Sequence, residues 1–195
     1  MKLILASSSP RRAEILRNAG FSFQILASPV DESPLPSESP QDHVRRLAEA
    51  KAAHAAKRTS PPAIVIAADT IVALDGRILG KPRNLDDARA MLELLSGRTH
   101  AVHTGLALLR LPEGELRAAV ETTLVTFAPL SPQDISSYLA SGEPFDKAGA
   151  YAIQGRGARF IPRIAGCYFN VVGLPVARLG ELLRELGWGD AIAPK

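Results

Sequence analysis

The sequence predicts an α/β protein built on a mixed, twisted sheet rather than a purely parallel one. Three observations carry that prediction. Helical and strand periods alternate along the chain, residues 63–74 are apolar at both parities, and residues 98–130 form two strand-like arms around a Pro-Glu-Gly turn. The chain has 195 residues, 46% of them apolar and 22% charged, which suits one sizeable core. One domain is expected over residues 1–187, with a frayed tail over 188–195. The net charge of +3 and the 5% aromatic content do not point to a nucleic-acid groove with stacking rings, whereas a small polyanion fits the mild positive balance. Cys167 is the single cysteine, so no internal disulfide is available, consistent with a reducing cytoplasm. Leu3 to Ala6 is far shorter than the ~7–15 apolar residues of a secretory h-region, and no stretch approaches a membrane span.

Taken in order, Leu3–Ala6 reads as a short strand that breaks into Ser7-Ser8-Ser9-Pro10-Arg11-Arg12 and then a helix. Ser9 suits the N-cap, and Pro10 suits the first helical position, where its missing N–H costs nothing. Unpaired N–H groups, two guanidiniums and several hydroxyls together make an anion site suited to phosphate. The same pattern also fits an ordinary capped helix with solvated arginines. Phe21–Ala27 reads as a second strand, and the proline-rich stretch to Pro40 as a loop. Gln41–Lys57 is predicted helical, with Val44, Leu47, Ala48, Ala52 and Ala55 on one stripe. Lys51 falls on that apolar stripe, either snorkelling to water or reaching into a cleft.

Ala63–Leu74 should be a central strand covered on both faces. Asp69 stands in its middle, where an ionised carboxylate needs a cation, a metal or several donors. It is a candidate functional residue, with a structural Asp bonded to nearby backbone as the alternative. Asp75-Gly76 is a hairpin turn leading through Arg77–Leu79 to Gly80-Lys81-Pro82, which presents Lys81 on a fixed loop. Asn84 caps a helix to Ser96, and Gly97 stops it. In the following hairpin, His100 and His103 are three residues apart on a strand and point to opposite faces, so they read as ordinary strand histidines. Ser131-Pro132 opens a helix to Ala140. The glycine-rich run from Asp146 to Gly157, around Gln154, suits either backbone packed close to a ligand or a tight connection. Ala158–Ile164 and Cys167–Val172 read as short strands, and Gly173-Leu174-Pro175 opens the last helix.

The chemistry-bearing parts are the Ser7/Ser9/Arg11/Arg12 loop, Lys51 and Lys81, and the acidic Glu32 and Asp69. They suit phosphate-ester or phosphoanhydride hydrolysis, in which Arg and Lys neutralise oxygens and a carboxylate holds Mg²⁺ or Mn²⁺ or orients water. No Gly-x-x-x-x-Gly-Lys-Ser/Thr motif occurs, which excludes a P-loop NTPase, and no Ser-His-Asp or Cys-His set is present.

An ordered series of motifs then carries a family resemblance. It runs Leu5-Ala6-Ser7-x-Ser9-Pro10-Arg11-Arg12, Asp31-Glu32, Arg46-Leu47-Ala48-x-x-Lys51-Ala52, Ala68-Asp69-Thr70-Ile71-Val72 and Gly80-Lys81-Pro82. It continues through His103-Thr104-Gly105, Asp146 to Tyr151 with Gln154-Gly155, and Asn170 to Pro175. Together these resemble the Maf family of nucleotide pyrophosphatases from residue 3 to about 175.

The resemblance implies hydrolysis of a nucleoside triphosphate between its α- and β-phosphates, with a divalent cation (Mg²⁺ or Mn²⁺). It implies Asp69 as proton acceptor, Ser7, Arg12, Glu32, Lys51 and Lys81 as contacts to phosphate or metal, and Glu32 and Asp69 as metal ligands. It implies an elongated mixed α/β fold with a cleft between two lobes, similar to inosine triphosphate pyrophosphatases, and often a homodimer. Arg11, Thr70 and Gln154 match the thymidine/uridine triphosphate branch. The alternatives are the 7-methylguanosine triphosphate branch and a nucleotide-binding regulator of cell division. Cys167 departs from the small hydroxyl residue usual in the family before the tyrosine.

Overall fold

A computed structural model describes residues 1–189. Their strands are β1 (Lys2–Leu5), β2 (Phe23–Ile25), β3 (Ala63–Leu74), β4 (Arg77–Leu79), β5 (Thr99–Leu111), β6 (Glu115–Thr126) and β7 (Arg163–Ala165). The helices are α1 (Pro10–Asn18), α2 (Pro40–Ala56), α3 (Leu85–Leu95), α4 (Pro132–Leu139), α5 (Tyr168–Val172) and α6 (Val176–Glu185). The strands form one sheet in the order β2-β1-β3-β5-β6-β7, with β4 also paired to β3. β1 runs parallel to β2 and β3, and every other pairing is antiparallel, so the sheet is mixed as expected.

Three helices start on the same local chemistry. Ser9, Ser39 and Ser131 each stand before a proline at the first turn, and each accepts the N–H three residues on, from Arg12, Asp42 and Asp134. The cap of α2 therefore lies at Ser39, and Pro40, expected to close the preceding loop, is instead the first helical residue. Asn84 caps α3 in the same way.

Residue parity on β3 separates the packing. Ala63, Val65 and Ala67 meet Ala48, Ala52 and Ala55 of α2 on one face. On the other face, Ile64, Ile66 and Ala68 join a core with α1 and α6, whereas Val72 and Leu74 join a second core with α3 and α4. Thr70 stands between these two cores. One edge of β3 pairs continuously with β5. The other pairs with β1 up to Ile66 and with β4 from Val72, leaving Ala67–Ile71 without a strand neighbour on that side. The cleft opens at this gap.

Four elements differ from the sequence expectation. The Phe21–Ala27 strand contracts to three residues at the sheet edge. The outer arm of the hairpin ends at Thr126, short of Leu130; Phe127 and Ala128 still donate to the Arg98 and Phe160 carbonyls, but Pro129 has no N–H to continue. Gly155–Phe160 is a 3₁₀ turn rather than the start of a strand. Cys167–Val172, rich in strand-forming residues, contains helix α5, because tertiary contacts override propensity there. Asn170 is drawn inward to the Val102 carbonyl and Thr123, and the Gly173 N–H closes the turn on Phe169 and Asn170.

Trp188 packs against the α6 core, and its N–H donates to the Leu183 carbonyl. Of the tail expected to fray, residues 190–195 lie outside the described residues. No described helix is long and apolar enough to cross a membrane.

Candidate active site

A cavity of about 560 Å³ opens at the gap in β3, in the size range of small-molecule sites. Ser7, Arg11, Arg12, Glu32, Lys51, Asp69, Thr70, Lys81 and Gln154 all line it. Residues from six separated parts of the chain thus line one cavity. Ser7 sits where β1 ends, and the arginines follow on the first turn of α1, whose N-terminus opens onto the cavity.

Asp69 is only 7% exposed and Lys51 8%. The Lys51 ammonium lies 2.6 Å from Asp69 Oδ1 and 2.6 Å from Glu32 Oε1. Lys51 therefore reaches into the cleft rather than snorkelling to bulk water, and it compensates the buried carboxylate. Desolvation pushes the Glu32 carboxyl up, but Lys51, Lys81 and Arg12 outweigh it and hold its pKa below the usual range. Among the described residues no three His, Cys, Asp or Glu side chains gather as a metal cage. Two carboxylates that touch one ammonium still suit a hard cation whose other ligands come from phosphate oxygens and water.

The exposed loop that carries Glu32 is fastened to α2. Arg46 donates from Nε to Glu38 Oε1 at 2.5 Å and from Nη2 to Glu38 Oε2 at 2.8 Å. Its Nη2 also reaches the Ser33 carbonyl, next to Glu32, at 3.1 Å. This two-point pairing, with His43 and the Leu35 N–H on the same carboxylate, holds the Glu38 pKa far below its ordinary value.

Arg12 is fixed by three acceptors: the Gly173 carbonyl to Nε at 2.8 Å, Thr70 Oγ1 to Nη2 at 3.1 Å and Ser7 Oγ to Nη1 at 3.3 Å. That leaves two of the five N–H bonds of a guanidinium for a ligand. Desolvation lowers the Arg12 pKa from its ordinary value, opposed by the nearby Asp69 charge. Ser7 Oγ accepts from both Arg12 and the Ser9 N–H, so its own O–H remains to donate. A pinned guanidinium, a donating hydroxyl and a helix N-terminus are what an anionic phosphate group needs.

At the opposite wall, Arg11 lies 3.5 Å from Asp146, which Lys147 also pairs. Gln154 is exposed on the turn before Gly155, and Lys81 is exposed on a loop tied by the Gly149 N–H to the Gly80 carbonyl. His100 and His103 are buried, against the Tyr151 hydroxyl at 2.7 Å and Thr122 Oγ1 at 2.9 Å respectively.

The sequence profile of Maf-like proteins matches residues 2–186. The chain belongs to the Maf-like protein family. Among its relatives, the dTTP/UTP pyrophosphatase of Carboxydothermus hydrogenoformans is 50% identical over 188 residues, covering 96% of this chain and 100% of the relative. That of Symbiobacterium thermophilum is 52% identical over 187 residues, covering 96% and 95%. The solved structure of the Staphylococcus aureus Ham1 protein shares the fold at a TM-score of 0.52 and 15% identity, covering 95% of this chain and 100% of that one.

In this Maf-like chain several cavity residues fall outside the nine sequence candidates. Asp146 and Lys147 flank Arg11, and Gly173 supplies the carbonyl that anchors Arg12. Asp146 and Lys147 begin the glycine-rich run, and their two charges are the sequence feature that marks them. The Gly173 carbonyl is a backbone group and leaves no residue-type signal at all.

Proposed function

We propose that the protein hydrolyses dTTP and UTP, releasing the monophosphate and pyrophosphate in a house-cleaning role. The observation that carries this reading is the juxtaposition of a buried carboxylate, Asp69, with the anion donors of the β1–α1 turn in one cavity. Arg12, Ser7 and the α1 N-terminus would hold the phosphate chain, with Lys81 adding charge from the opposite loop. Lys51 engages Asp69 at Oδ1, and Asp69 would take the proton of the attacking water at Oδ2. Glu32 and Asp69 would hold a divalent cation, Mg²⁺ or Mn²⁺, which when bound supplies positive charge to the phosphates. Arg11, Thr70 and Gln154 would select the base; a carboxamide both donates and accepts, as the O4/N3–H edge of uracil or thymine requires. The homodimer implied by the family resemblance and the cytoplasmic location suggested by the single Cys167 belong to the same reading.

The test is pyrophosphate release from UTP, dTTP and 7-methyl-GTP with Mg²⁺ or Mn²⁺, repeated after chelation. UTP and dTTP should be turned over best, and the chelator should abolish release. A clear preference for 7-methyl-GTP would overturn the base assignment. Binding without release under any metal would favour a nucleotide-sensing regulator.

A further inference from the structure

The hydroxyl protons beside Arg12 can be assigned by counting. Thr70 and Thr104 face each other directly across β3 and β5, with their Oγ1 atoms 2.9 Å apart. Thr104 is fully buried, and its hydroxyl also lies 3.1 Å from the Asn170 carbonyl oxygen. A carbonyl only accepts, so Thr104 donates there, and a threonine has one proton. The contact between the two threonines must therefore use the proton of Thr70. Thr70 Oγ1 in turn accepts from Arg12 Nη2 at 3.1 Å. The Gly173 carbonyl, 3.4 Å from Thr70, is the other acceptor in reach. Sending the proton there uses the longest of these contacts and leaves one of the two shorter ones without a hydrogen. The chain runs one way, from Arg12 to Thr70 to Thr104 to Asn170.

We propose that Thr104 is a positioning residue that fixes Thr70 as a hydrogen-bond acceptor towards the cavity, so that Thr70 recognises a donor group of the nucleotide. The inference rests on the dTTP/UTP reading and deepens it. With its proton held from behind, Thr70 offers the ligand a lone pair only. A phosphate oxygen also offers lone pairs and is repelled, and a second cation is disfavoured 3.1 Å from the Arg12 guanidinium. What remains is an N–H or O–H. Uracil and thymine carry an imide N–H at position 3, where cytosine has a lone pair, and the sugar of both substrates carries a 3′-hydroxyl. Ser7 has the opposite polarity: both its lone pairs are engaged and its O–H is left to donate. Two hydroxyls on one wall thus sort an anionic acceptor from a neutral donor.

Turnover of UTP, CTP and 3′-deoxyuridine triphosphate by the wild type and by Thr104→Val and Thr104→Ser tests this. The wild type should prefer UTP over at least one analogue by about tenfold or more, as a site built to pair a polar group rejects the analogue lacking it. Thr104→Val keeps the shape and removes the acceptor that holds the Thr70 proton, leaving only the long 3.4 Å contact to the Gly173 carbonyl to compete with the cavity for it, so that preference should fall about tenfold. Thr104→Ser should restore it. The analogue whose disadvantage shrinks identifies the donor: CTP for the base N–H, the 3′-deoxy compound for the sugar hydroxyl. Unchanged ratios for both analogues in a folded Thr104→Val variant overturn the proposal. Should that variant not fold, Thr70→Val must lose the same preference, and retention overturns it. A wild type that releases no pyrophosphate from UTP would instead overturn the underlying functional reading.

Discussion

Gly105 lies directly opposite Asp69 across β3 and β5, and a Cβ placed on it would stand 2.0 Å from the Val44 carbonyl oxygen of α2. The missing side chain lets the α2 backbone rest on the sheet, and α2 is the element that delivers Lys51 to Asp69. Gly105→Ala should therefore push α2 away from the strand. Overpacking of this kind costs about 1–3 kcal/mol, and the Lys51–Asp69 pair should lengthen with it. Urea unfolding and turnover measured together check this; a variant of native stability and full activity would show that α2 has room to spare.

Asp69→Asn keeps the shape of the side chain and removes its capacity to accept a proton. Turnover should drop by about 10²–10⁴-fold, the range of general base contributions, with nucleotide affinity largely retained. Full turnover in this variant would assign the base elsewhere.

Lys51→Met leaves the Asp69 and Glu32 carboxylates facing each other without their ammonium. Breaking a buried pair on one side costs about 3–5 kcal/mol, and the open cavity places this one near the lower end. Adding Asp69→Asn to Lys51→Met should recover part of the loss, since the stranded charge is then gone. Strictly additive unfolding free energies would mean that the two side chains are not coupled.

Glu143 holds the turn that presents Gln154. Its carboxylate accepts from the Tyr138 hydroxyl at 2.8 Å and from the Arg156 and Gly157 N–H groups at 2.9 and 3.1 Å. Gly155 adopts φ +85°, and a Cβ there would meet the same carboxylate. Glu143→Ala should loosen the turn and raise KM for dTTP several-fold while kcat changes less. An unchanged KM would detach Gln154 from substrate binding.

His100 is packed between the Phe127 and Tyr151 rings, and desolvation pushes its pKa down from 6.5 to about 4. The unfolded chain takes up the proton first as pH falls. The stabilising contribution is therefore complete above pH ~6.5 and is lost progressively towards pH 4. A shift of this size corresponds to about 3 kcal/mol. Unfolding free energies between pH 7 and pH 4 should fall more steeply for the wild type than for His100→Leu; parallel profiles would remove His100 from the acid response.

The sequence makes the site easier to read than the last third of the fold. Asp69 stands out because an ionisable residue interrupts an otherwise apolar strand, and Lys51 because a charge falls on an apolar helical stripe. Both anomalies are local, and each is resolved by the other. The α5 segment is the opposite case. Tyr168 to Val172 favours extended backbone locally, and only the distant Val102 carbonyl and Thr123 turn Asn170 inward and close a helical turn. Gln41–Lys57 and the long hairpin were legible because their hydrophobic period repeats often enough to dominate. The Thr70–Thr104 contact depends on strand register, which no single stretch of sequence specifies.

The unpaired stretch of β3 from Ala67 to Ile71 bears on solubility as well as on binding. A strand edge with free N–H and C=O groups ordinarily invites another chain to add a strand, and proteins protect their outer rims against that. Here the bare edge lies within the sheet, bounded by β1 and β4, and its Asp69 and Thr70 line the cavity together with Glu32 and Lys147. An approaching strand has no room to lie alongside it, while a small ligand does. The kind of open edge that would make an outer strand prone to aggregation is thereby kept inside the sheet, where it meets the cavity at Asp69 and Thr70.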